Sequence, residues 1–139
     1  MNMKMRKINE IIVHCTATKE GQHFTVDDVR RWHLERKFVD IGYHYLVLLD
    51  GTIQEGRPIE TIGAHCVGHN AHSIRVCYVG GLDKNGKADD TRTPEQKASL
   101  LHLLTELKQH YPAVTIHGHR DFAPKACPCF DATQEYKNL

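Results

Sequence analysis

Short apolar runs and two longer amphipathic stretches divide the chain. Ile8 to His14 contains the unbroken run Ile11-Ile12-Val13, the mark of a strand covered on both faces. Cys15 to Gly21 is polar and predicts a loop. Thr25-Val26-Asp27-Asp28 is a capping box with Asp in place of Glu or Gln, and two acids suit a helix N-terminus. The helix it opens carries Val26, Val29 and His33 on one stripe, places Trp32 in core packing, and ends near Lys37. Asp40 to Leu49 predicts a second strand. Asp50-Gly51 then makes a tight turn into a third over Thr52 to Glu55. Gly56 to Asn70 is a loop rich in glycine that carries His65 and His69, and Ser73 to Val79 is a further strand ended by Gly80-Gly81. Thr93-Pro94-Glu95-Gln96 opens a second helix, with Thr93 as cap and Pro94 at the first helical position. Leu100, Leu103, Leu104, Leu107 and Tyr111 form its buried face, and Pro112 ends it. Val114 to His117 is a short strand, and Asp131 to Leu139 a short terminal helix. Strands alternate with helices except at the one hairpin. The expectation is a single α/β domain over residues 1–139, a mixed β-sheet with helices packed on its faces.

Composition narrows the function. The chain has 139 residues, 25% of them charged, and a formal net charge of +1, so it lacks the electrostatic footprint of a nucleic-acid binder. The basic start Met3 to Lys7 is followed by polar Asn9 and Glu10 rather than a long apolar segment. No signal peptide and no membrane-spanning helix is expected, and a cytoplasmic location follows. The five cysteines, Cys15, Cys66, Cys77, Cys127 and Cys129, are odd in number and irregular in spacing, against a disulfide framework. Cys66 and Cys77 read as small buried hydrophobes.

The candidate chemistry is concentrated in His119-Arg120-Asp121-Phe122-Ala123-Pro124-Lys125-Ala126-Cys127-Pro128. The two prolines keep this stretch out of helix. His119 and Cys127 offer the ligand types that suit zinc, and His14, at the end of the first strand, is the best third ligand. Strand ends collect at one edge of an α/β sheet, where sites form. Two His and one Cys leave the fourth tetrahedral position open for water, as in a catalytic zinc. Lys125 and Tyr43 would be donors for a developing oxyanion. Two other readings stand beside this one: a structural zinc, for which no fourth ligand stands out, and polar residues with no shared role.

Several segments together resemble the type-2 zinc-dependent N-acetylmuramoyl-L-alanine amidases. These are Val13 to Thr18, Gly42-Tyr43-His44-Tyr45, Asp50-Gly51-Thr52, Ser73 to Gly81, Thr93-Pro94 with Gln96, and His119 to Pro128. The class includes the small phage amidase lysozymes, whose branch is nearest through Ala123 to Pro128, and is related to the peptidoglycan recognition proteins. The resemblance implies cleavage of the amide between the lactyl group of N-acetylmuramic acid and L-alanine of the stem peptide. It implies Zn2+ held by His14, His119 and Cys127, catalytic assistance from Tyr43 and Lys125, and substrate binding by His65. The implied partners are peptidoglycan and muramyl peptides, met by a monomer that reaches the wall on lysis or by assisted release. The alternative is a non-catalytic peptidoglycan-binding module of the same fold. Such modules typically lack the cysteine ligand, which is present here as Cys127. Cys129 departs from the family pattern and is a rival ligand, or a thiol that oxidises with Cys127.

Overall fold

The computed structural model describes residues 7–59 and 72–139. The elements follow one another as β1 (Glu10–Cys15), β2 (Thr18–Lys19), α1 (Val26–Glu35), β3 (Tyr45–Val47), β4 (Ile53–Glu55), β5 (Ser73–Tyr78), β6 (Gly81–Leu82), α2 (Pro94–His110), β7 (Thr115–Gly118) and α3 (Ala132–Glu135). Five strands form one mixed sheet in the order β4-β3-β5-β1-β7, and β2 pairs with β6 apart from it. β1 runs parallel to both its neighbours, β5 and β7, and β4 is the antiparallel edge. This is the α/β mixed sheet expected of the sequence, with helices on its faces.

Alternation along the strands sorts side chains between two faces. Ile11, Val13 and Cys15 join Ile74, Val76, Tyr78 and the leucines Leu100, Leu103, Leu104 and Leu107 of α2 in one core. On the other face Leu46, Cys77 and Val79 meet Val26 and Val29 of α1, with Ile41 and Tyr43. His14 belongs to this second face, and so does Arg75. Covering on both sides explains why β1 and β5 read as apolar runs rather than as alternating strands. The α2 cap is as predicted: Gln96 N donates to Thr93 Oγ1 (3.0 Å) and Thr93 N to Gln96 Oε1 (2.9 Å).

Several boundaries differ from the sequence reading. α1 ends at Glu35, and Lys37 just beyond takes a left-handed conformation (φ 68°) that no helix continues. The second strand is only Tyr45–Val47. Upstream, the N–H groups of Ile41 and Gly42 are taken by Asp40 Oδ1 and His33 Nδ1 (2.7 and 2.8 Å) instead of a strand neighbour. The turn at Asp50-Gly51 is wider than a two-residue turn, because Leu48 N pairs with Thr52 O (2.8 Å) around Leu49 to Gly51. β2 lies inside the stretch expected to be all loop; two residues are too few to show a period. The terminal helix stops at Glu135.

Candidate metal centre

Three segments distant in sequence build the site. β1 delivers His14 at its C-terminal end. β7 ends in Gly118, and a 3-10 turn over His119–Asp121 presents His119. The loop that follows folds back on this turn: Arg120 N donates to Cys127 O (2.7 Å) and Cys129 N to Ala126 O (2.7 Å). Tyr78, from β5, donates its hydroxyl to Pro128 O (2.6 Å). Gly118 makes room for this return. A Cβ there would lie 2.8 Å from Pro128 Cδ.

The outcome is a cluster of His14, His119 and Cys127, whose ligand atoms lie within 4.8 Å of one another. It is the one such group of three among the described residues. His14 Nδ1 is 3.9 Å from Cys127 Sγ, and the two imidazole rings are 4.5 Å apart. Tetrahedral zinc with arms of about 2.0–2.3 Å needs donors roughly 3.3–3.8 Å apart, so a small inward adjustment fits them to the ion. Cys15 N donates to Cys127 Sγ (3.2 Å) and orients the sulfur.

The surroundings position these groups. Arg75 is fully buried and donates from Nη1 to His14 Nε2 (3.1 Å) and from Nε to Ser73 Oγ (3.0 Å). A guanidinium has no acceptor, so His14 receives this bond on Nε2 and turns Nδ1 toward Cys127. The Tyr43 ring lies 5.2 Å from that of His14 and 5.3 Å from that of His33. Burial, and then the neighbouring Cys77 thiol, pushes the Tyr43 phenol well above its ordinary range, which keeps it a hydrogen-bond donor. His33 is lowered to about 4, first by burial and then by the charges of Arg36 and Arg57. Lys125 is exposed at the rim of a pocket of about 150 Å³, which it shares with Tyr43, Arg36 and the three ligands.

Five of the six site residues expected from sequence therefore share one pocket. The sixth, His65, lies outside the described residues, as does Cys66. The Cys129 sulfur turns to Cys15 Sγ (3.9 Å) and stands outside the cluster. Arg75 and Arg36 were missed. A charged residue inside the apolar run Ile74 to Val79 was the available signal for Arg75, because a buried guanidinium needs partners. Arg36 gave none, since arginines at helix ends are commonplace.

The N-acetylmuramoyl-L-alanine amidase family matches residues 4–130, and the chain belongs to this family of peptidoglycan hydrolases. Among its relatives, the endolysin of Escherichia phage T7 is 46% identical over 121 residues, which span 87% of this chain and 80% of that protein. The endolysin of Klebsiella phage KP32 is 42% identical over 128 residues, 92% of this chain and 85% of that one. The N-acetylmuramoyl-L-alanine amidase LysC from Clostridium intestinale URNW superposes with a TM-score of 0.79 at 27% identity, covering 97% of this chain and 90% of that one.

Proposed function

We propose that the chain is a zinc-dependent amidase with His14, His119 and Cys127 as metal ligands. It cuts the amide between the lactyl group of N-acetylmuramic acid and L-alanine in peptidoglycan or its muramyl peptides. The observation that carries this reading is the meeting of two imidazoles and a thiol in the pocket that also holds Tyr43 and Lys125. Zinc bound there supplies a Lewis acid that acidifies water and polarises a carbonyl. The chain's own residues do the rest. Arg75 fixes the ring of His14 from behind. Tyr43, held protonated by its burial, donates a hydrogen bond to the attacking oxygen or to the substrate. Lys125 places its ammonium where negative charge develops on the scissile carbonyl oxygen. Tyr43 and Lys125 are thus the catalytic residues, and His65 contributes to substrate binding. The enzyme acts as a monomer on the cell wall, which it reaches on lysis or by assisted release.

The test measures metal content and peptide release from muramyl-peptide fragments for the wild type and Cys127→Ala. One zinc per wild-type chain and cleavage, both lost in the variant, are the expected results. Stoichiometric zinc without cleavage overturns the substrate, and a zinc-free wild type overturns the site.

A further inference from the structure

Two thiols beside the metal centre are not among its ligands. Cys15 directly follows His14, and Cys129 lies two residues beyond Cys127. Both are free, yet their sulfurs are 3.9 Å apart across a sequence separation of 114. The fold builds this approach. Cys15 is on the face of β1 opposite His14, among the residues that pack against α2. Cys129 is held in the left-handed region (φ 70°), a conformation uncommon for any side chain but glycine, asparagine or aspartate. Gly81 leaves the space between them clear, since a Cβ there would stand 2.5 Å from Cys15 Sγ and 3.5 Å from Cys129 Sγ.

We propose that Cys15 and Cys129 form a redox modification site. A disulfide between them staples the strand that carries His14 to the loop that carries Cys127, and uses none of the three ligand atoms. The oxidant is a low-molecular-weight disulfide such as oxidised glutathione. Half-buried Cys129, the more accessible of the two thiols, attacks one sulfur of the oxidant and releases its proton, which expels one small thiol and leaves a mixed disulfide. Cys15 then attacks the Cys129 sulfur and expels the second. Two protein thiols give up two protons and two electrons, and the oxidant becomes two thiols. Closing the pair to a bond of about 2.05 Å takes roughly 1.9 Å of movement, shared between two side chains. Peptidoglycan lies on the oxidising side of the bacterial membrane, where disulfides form and persist. The staple therefore closes where the substrate is.

The experiment treats the zinc-loaded full chain with excess oxidised glutathione, then maps disulfides by mass spectrometry and follows thermal unfolding. Neither readout needs the amidase activity, so the result stands apart from the proposed function. A mass loss of about 2 Da, a cross-linked peptide pair containing Cys15 and Cys129, and a Tm rise on the order of 5–10 °C are expected, all reversed by dithiothreitol. Zinc content stays unchanged. Cys129→Ser, which conserves size and polarity, shows no cross-link at Cys15 and no Tm response. A bridge that includes Cys127, a glutathione adduct at Cys129 that never resolves, or a bridge that leaves Tm unchanged would overturn the proposal.

Discussion

Gly118→Ala is a direct probe of how the site loop is held. Gly118 is extended (φ −95°, ψ 154°), a conformation open to any residue, so the substitution tests space alone. The new Cβ would sit 2.8 Å from Pro128 Cδ, 3.3 Å from Pro128 Cγ and 3.7 Å from Ala132 Cβ. Carbon atoms rest about 3.5–4.0 Å apart, so Pro128 must withdraw by roughly 0.7–1.2 Å. Its carbonyl is anchored by the Tyr78 hydroxyl at 2.6 Å, so the movement is passed to Cys127 beside it. Overpacking of this kind costs about 1–3 kcal/mol, and the stiffer unfolded chain returns about 0.4–1 kcal/mol. The net loss is about 1–2 kcal/mol, a Tm drop on the order of 3–10 °C for a chain of this size. Zinc affinity falls by about 10–100-fold, the usual effect of disturbing groups that hold a ligand. Differential scanning fluorimetry and zinc titration against a competing chelator measure both. Gly21→Ala is the control: its positive φ of 80° makes it a strained site with nothing within 4 Å, so it loses stability with no change in zinc binding. A Gly118→Ala protein as stable and as tight for zinc as the wild type would refute the coupling between Pro128 packing and ligand position.

Three further outcomes are expected. His33 is lowered from 6.5 to about 4, so between these values the unfolded chain binds the extra proton. Stability should fall as pH drops from about 6.5 to 4, by up to about 3 kcal/mol from this group, and urea midpoints for His33→Gln should fall less steeply across that window. Tyr43→Phe and Lys125→Ala should each keep stoichiometric zinc yet lower kcat by about 10²-fold or more; unchanged kcat would remove either residue from catalysis. Arg92, with its side chain only 2% exposed, pairs with Asp90 and Glu135 and stacks 3.4 Å over Phe130 at the exit of the site loop. Arg92→Met should cost about 2–3 kcal/mol in a denaturant titration, less than a fully buried pair, because both carboxylates can return to water.

The site was more legible than its setting. His14 and Cys127 could be nominated because imidazole and thiol at strand and loop ends have few roles, and zinc favours that pair of ligand types. The helix over Pro94–His110 was legible because its cap and its leucine stripe agree. β2 left no trace, since its order comes from pairing with β6, 63 residues on in the chain (Thr18 opposite Gly81), rather than from its own pattern. The shortening of β3 had the same origin: His33 and Asp40 compete for the N–H groups that a longer strand would have used. The direction of the Cys129 sulfur was not legible, because spacing along a loop says nothing of which way a left-handed residue turns its side chain.

The position of β1 at the centre of the parallel strands also bears on how the protein is made. Glu10–Cys15 is made well before its ladder partners, which begin only at Ser73 and Thr115. Until those partners are made, an apolar segment waits with both edges open, an invitation to aggregation that makes chaperone capture valuable. Pairings so distant in sequence also slow folding.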